Sequence, residues 1–122
     1  MTNILIIDDE PKIRLVLREL FELEGYTVTE ASNGFEGMAL FHEKKIDLIL
    51  TDLFMPEQEG LETIYKLKKE SPEIKTIAMS GGGALGCPQN HLDTARLLGV
   101  AATFTKPVSR ESLLKTIRDL CV

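Results

Sequence analysis

Short apolar runs alternate along this chain with stretches in which apolar residues recur every three or four positions, and the alternation repeats five times. Residues 4–7, Ile-Leu-Ile-Ile, form an uninterrupted run of the kind expected for a parallel strand buried on both faces. Asp9-Glu10-Pro11 then opens a helix: proline fits the first turn, acids suit its positive end, and Ile13, Val16, Leu17 and Leu20 fall on one face before Gly25 stops it. Residues 26–31 alternate as a second strand, and Asn33 with Glu36 three positions on reads as the capped start of a helix through about Glu43. Residues 46–51 predict the third strand, with Leu61, Ile64 and Leu67 marking a helix closed by Ser71-Pro72. Residues 74–79 predict the fourth strand, followed by a Gly-rich loop over 80–88 and a short helix carrying Leu92, Ala95 and Leu98 up to Gly99. Residues 100–105 predict the fifth strand, after which Ser109 caps a last helix with Leu113, Ile117 and Leu120 inward.

Strands that alternate with helices through short connections imply a parallel sheet with right-handed crossovers and helices on both faces, a doubly wound α/β domain. Five strands give the natural order 2-1-3-4-5, which puts any site at the carboxyl ends of the strands beside the switch point. At 122 residues there is room for one such domain, 1–122, whose apolar core needs no metal or disulfide staple.

Charge narrows the function. A net charge of −5 argues against direct binding to a nucleic-acid backbone, which requires a cationic face. Cys87 and Cys121 are too few for a disulfide framework and, with His42 and His91, show no metal-ligand spacing, so they read as inert thiols. No apolar stretch approaches the roughly 20 residues of a membrane span, and the first apolar run ends in acid rather than in a signal-peptide pattern, so a cytoplasmic location is expected. Phe21, Phe35, Met38 and Phe41 lie at helical spacing and read as core, and Lys66-Leu67-Lys68-Lys69 reads as a solvated helix end.

The predicted carboxyl ends carry Asp8 and Asp9 after strand one, Asp52 after strand three, Ser80 after strand four and Lys106 after strand five. In the 2-1-3-4-5 order these positions converge on one rim, where three carboxylates repel and call for compensating cations. Lys106 is one. A hard divalent ion, Mg²⁺ or Mn²⁺, with carboxylate and phosphate oxygens around it is the other. A carboxylate beside such an ion, a lysine and a hydroxyl is equipped to attack phosphorus and form an acyl phosphate.

Asp8-Asp9, the run Asp52-Leu53-Phe54-Met55-Pro56, Ser80-Gly81 and Lys106-Pro107, each at the end of its own strand, together resemble the receiver domain of two-component response regulators over about residues 4–120. The resemblance implies a flavodoxin-like fold in which Asp52 is the phosphoacceptor, Asp9 the direct metal carboxylate, Asp8 a metal partner through water and the Phe54 main-chain carbonyl a further ligand. It makes Lys106 the holder of a phosphoryl oxygen and Ser80 the hydroxyl that swings toward the phosphate, with Pro107 in a peptide often cis in the family. Receiver domains place Tyr or Phe three residues before the lysine. Here Thr103 stands there, and Phe104 beside it faces the opposite side of its strand. Phe54 and Gly82, two residues after Asp52 and Ser80, carry no polar side chain to orient water.

The resemblance implies a signalling switch that takes its phosphoryl group from a histidine kinase or histidine phosphotransfer protein and presents a changed surface to a downstream protein or attached output domain. Such a regulator catalyses only its own phosphorylation and dephosphorylation. The alternative, suggested by Thr103, is an interaction module of the same fold without phosphorylation-driven switching. A small phosphatase with an Asp nucleophile is a third reading, weakened by Phe54 where a second acid would stand. Flavin binding is weaker still, because Asp8-Asp9-Glu10 would repel a flavin phosphate. The Gly81–Gly86 segment lacks the Lys-Ser/Thr of a phosphate loop and reads as a mobile connection.

Overall fold

The computed structural model describes residues 2–53, 59–80, 88–106 and 108–121, with the side chains of 59 and 88–92 outside the description. Ten elements alternate: β1 Asn3–Ile7, α1 Pro11–Leu23, β2 Thr27–Ala31, α2 Gly34–Glu43, β3 Leu48–Asp52, α3 Glu59–Glu70, β4 Lys75–Ser80, α4 Pro88–Leu97, β5 Ala102–Thr105 and α5 Arg110–Leu120. The strands form one sheet in the order β2-β1-β3-β4-β5, and each neighbouring pair is parallel, as the alternation predicts.

Period-two alternation divides the core. Ile4 and Ile6 pack with Leu17, Phe21, Leu113 and Ile117 on the α1/α5 side, while Leu5 and Ile7 pack with Ile49 and Leu67 on the α2/α3 side. Ala78, Leu53, Ile64 and Ala95 form a third cluster beneath α3 and α4. The interior strand β1, paired on both sides, is buried from Ile4 through Ile7, so its end, where Asp8 and Asp9 follow, is held firmly. Helix ends match the sequence reading at several points. Asn33 accepts from Glu36 N–H, Ser109 accepts from Ser112 N–H, and Gly25 and Gly99 take the positive φ values of 90° and 95° that end α1 and α4.

Several expectations need correction. Strand three runs Leu48–Asp52 rather than 46–51, with Ile46 buried just ahead of it, and strand five begins at Ala102 rather than at 100. The acids expected to charge the start of α1 lie ahead of it. Its first turn has none, and the N-cap Glu10 makes no side-chain cap bond. Val16 is half exposed, because the inward stripe of α1 centres on Leu17 and Phe21 and leaves Val16 over an open apolar groove shared with Leu113 of α5. Phe35 is not core: it is 87% exposed. Helix α2 meets the sheet through buried Gly34 and Gly37, the latter so close to Ile7 that an added Cβ would lie 2.5 Å from its Cδ1, and Phe35 points away. Phe21 is buried, and Met38 and Phe41 are partly buried against the core, as expected. Lys68 is not a freely solvated end, since its ammonium donates to the Ile74 carbonyl at 2.6 Å and burial lowers its pKa.

Candidate functional site

A parallel sheet places the ends of all its strands on one rim, and the residues expected there are brought together. Asp8 follows β1, Asp52 ends β3, Ser80 ends β4 and Lys106 follows β5. Carboxylate oxygens of Asp8, Asp9 and Asp52 all lie within 4.8 Å of one another. Asp8 is fully buried and Asp52 only 2% exposed, whereas Asp9 is exposed. Ser80 is fully buried, next to Met79, the register partner of Asp52.

Lys106 is the cation of the cluster. Its Nζ stands 3.2 Å from both Asp8 Oδ2 and Asp52 Oδ2. Burial works against the ammonium, but Asp52 and Asp8 outweigh it and raise the lysine pKa above its ordinary value. The backbone aims this side chain: Lys106 N–H donates to the Ser80 carbonyl at 2.8 Å, and Leu53 N–H donates to the Met79 carbonyl at 2.7 Å. Asp8 Oδ1 also accepts from Glu10 N–H at 2.9 Å, a turn bond just outside α1.

Among the described residues, three carboxylates against the Lys106 ammonium leave a hard, oxygen-only donor set with net negative charge, which fits a hard divalent cation such as Mg²⁺. Phe54, whose carbonyl is the further ligand expected, and Pro107 lie outside the described residues, as do Gly81–Gly86, Cys87 and the side chain of His91. Cys121 is half buried, its thiol pushed up by burial, and His42 pairs with Glu70 of α3.

Three residues near the site, Gly60, Arg14 and Arg96, carried no signal strong enough to single them out. Gly60, in the first turn of α3, lies against the backbone that carries the acidic residue of β3, for a Cβ there would meet the Asp52 carbonyl at 2.5 Å and Leu53 Cα at 2.7 Å. Its signal was a glycine inside a helical pattern, which costs about 1 kcal/mol unless a close approach requires it. Arg14 donates to the Asp8 carbonyl and to Glu30 of β2. Arg96 of α4 donates to Thr103 Oγ1 at 2.8 Å and to Asp93, so the position lacking the aromatic is tied to α4 by a polar bridge. Phe104 packs against the α1/α5 core instead, on the opposite face as its strand position dictates.

The family model of the response regulator receiver domain matches residues 4–118. Sporulation initiation phosphotransferase F of Bacillus subtilis (strain 168) is 30% identical over 116 residues, covering 95% of this chain and 90% of that protein. The transcriptional regulatory protein GlrR of Escherichia coli (strain K12) is 31% identical over 117 residues, 96% of this chain but 26% of its own length, so the chain spans about a quarter of that relative. The response regulator protein TrrA from Thermotoga maritima, solved in complex with Mg²⁺-BeF, superposes with a TM-score of 0.85 at 28% identity over 98% of this chain and 99% of that one.

Proposed function

Because the chain belongs to the response regulator receiver domain family, we propose that it is, over residues 1–122, a phosphorylation-dependent switch whose acceptor is Asp52. The donor in this reading is a phosphohistidine on a histidine kinase or histidine phosphotransfer protein. An Asp52 carboxylate oxygen attacks phosphorus, the P–N bond breaks with its electron pair returning to the imidazole, and an acyl phosphate remains. The observation that carries this reading is Lys106 Nζ at 3.2 Å from the buried Asp52, with Asp8 and Asp9 beside it. In this reading Lys106 holds a phosphoryl oxygen and Ser80 offers its hydroxyl to the same group.

Asp9 and Asp52 would hold the divalent ion, with Asp8 as its partner through water and the Phe54 carbonyl as a further ligand. When bound, Mg²⁺, or Mn²⁺ in its place, neutralises charge on the transferring phosphoryl group. The catalysis proposed is confined to the domain's own phosphorylation and dephosphorylation. The surface change is read by a downstream protein or an attached output domain, in the cytoplasm and without direct nucleic-acid contact. Among the described residues no helix is long and apolar enough to cross a membrane.

Ser80, Thr103 and Pro107 are the proposed switch residues. Arg96 holding Thr103 favours a second reading, an interaction module whose α4–β5 face is held by hydrogen bonds and does not respond to phosphorylation. Intact-mass spectrometry after acetyl phosphate and Mg²⁺ tests the first: the parent gains one phosphoryl group and Asp52→Asn gains none. Equal labelling of both overturns the assignment. Amide shifts with beryllofluoride and Mg²⁺ separate the two readings. Spread to Thr103 and α4 marks a switch, and confinement to the acidic rim marks a module.

A further inference from the structure

A cluster of charged side chains beside the acidic rim does more than pin a helix to the sheet. Arg14 of α1 donates through Nε to Glu30 Oε1 at 3.2 Å, and Arg18 donates through Nη1 to Glu30 Oε2 at 2.7 Å and through Nε to Glu22 at 3.3 Å. Taken alone, these pairs are a surface clip between α1 and β2, of the kind that contributes little to stability. The clip accounts for Arg18, which is 41% exposed, but not for Arg14, which is only 16% exposed. Arg14 spends its Nη1 on the main-chain carbonyl of Asp8 at 2.6 Å, the shortest bond of the cluster.

That carbonyl belongs to the peptide joining Asp8 to Asp9. A peptide unit is planar, so fixing its oxygen also fixes the Asp9 nitrogen and Cα, and with them the origin of the Asp9 side chain. The Asp8 amide on the other side is held by the Ala31 carbonyl at 3.1 Å, and Ala31 directly follows Glu30. The Asp8 carboxylate is fixed by Glu10 N–H and Lys106. Every part of Asp8 is therefore restrained, and Asp9 is held from two sides, by the Asp8 carbonyl whose donor is Arg14 and by the Glu10 N–H bonded to the Asp8 carboxylate.

We propose that Arg14, oriented by Glu30, is a positioning residue that sets the Asp8–Asp9 peptide plane and so places the exposed Asp9 carboxylate for a divalent cation. The inference rests on the reading of the acidic cluster as a metal site, and it makes a prediction opposite in sign to simple electrostatics. A guanidinium acting only through its charge would repel the cation, and its removal would tighten binding. A guanidinium acting through position loosens binding when removed.

Mg²⁺ titrations followed by backbone amide shifts decide between them, on the parent, Arg14→Ala, Arg14→Lys, Glu30→Gln and Arg18→Ala. Arg14→Ala is expected to weaken Mg²⁺ roughly tenfold, the low end for losing an outer hydrogen-bond partner of a metal ligand. Glu30→Gln is expected to weaken it less, and it carries the same test should Arg14→Ala fail to fold. Arg14→Lys restores part of the loss by keeping a donor, and Arg18→Ala matches the parent. Without Mg²⁺, the Asp9 and Glu10 amides of Arg14→Ala move from their parent positions. Unchanged or tighter Mg²⁺ binding in Arg14→Ala overturns the role of Arg14, as does a loss in Arg18→Ala equal to that in Arg14→Ala. A parent that binds no Mg²⁺ overturns the metal reading of the site itself, a distinguishable failure.

Discussion

Replacing Asp9 by asparagine removes one of three carboxylates whose oxygens lie within 4.8 Å of one another while preserving the side chain's shape. At that separation two unit charges repel by about 0.9 kcal/mol in a water-like dielectric and by about 3.5 kcal/mol at an effective dielectric near 20. Asp9 is exposed, so the lower figure governs. Lys106, shared between Asp8 and Asp52, cancels part of the field that Asp9 feels. Asp9→Asn should therefore be more stable than the parent by about 1 kcal/mol in chelator at neutral pH, about 4 °C in Tm for a domain of this size. Thermal and urea melts at low and high salt measure this, and the gain should shrink as the Debye length falls from about 10 Å at 0.1 M to about 3 Å at 1 M. Saturating Mg²⁺ should invert the order. A ligand at 100 times its dissociation constant stabilises by about 2.7 kcal/mol, and only the parent retains the full ligand set. An Asp9→Asn protein less stable than the parent in chelator, or one whose advantage survives saturating Mg²⁺, refutes the reasoning.

Lys106→Met should lower stability in chelator by about 3 kcal/mol at neutral pH, because it removes the ammonium that two buried carboxylates share. The folded-state pKa of Lys106 is raised, so its contribution is complete below the ordinary lysine value of 10.5 and is lost as pH climbs through the higher folded value. Urea melts against pH should show parent and variant converging only in that alkaline window. Gly60→Ala should cost about 2 kcal/mol and slow labelling by acetyl phosphate, since the atoms in the way are the Asp52 carbonyl and Leu53 Cα. Gly37→Ala meets the end of the Ile7 side chain and should cost less in the same denaturation assay. Asn33→Ala should lose about 1 kcal/mol with the N-cap of α2, whose 2.7 Å bond to Glu36 N–H disappears, a change visible in the melting midpoint.

Much of this protein is determined by its sequence alone. The unbroken run Ile4 to Ile7, the alternation ending at Ala31 and the helical spacing of Leu61, Ile64 and Leu67 are local patterns, and burial of apolar surface acts on them wherever they lie. Once the order 2-1-3-4-5 follows from alternation, Asp8, Asp9, Asp52, Ser80 and Lys106 must share a rim, because parallel strands all end on the same side. Tertiary structure decided the remainder. Val16 and Phe35 satisfy helical spacing as well as their buried neighbours do, and they lie outside the core only because α1 settles on Leu17 and Phe21 and α2 on Gly34 and Gly37. Arg14 and Arg18 look alike on one polar helix face, yet one reaches the Asp8 carbonyl and the other does not. Arg96 meets Thr103, and Gly60 meets the Asp52 backbone, only after α4 and α3 dock. Periodicity reports which residues seek burial. Which polar group finds which partner, and which glycine admits a neighbouring backbone, is set by the distance between packed elements, a quantity that no single segment of sequence contains.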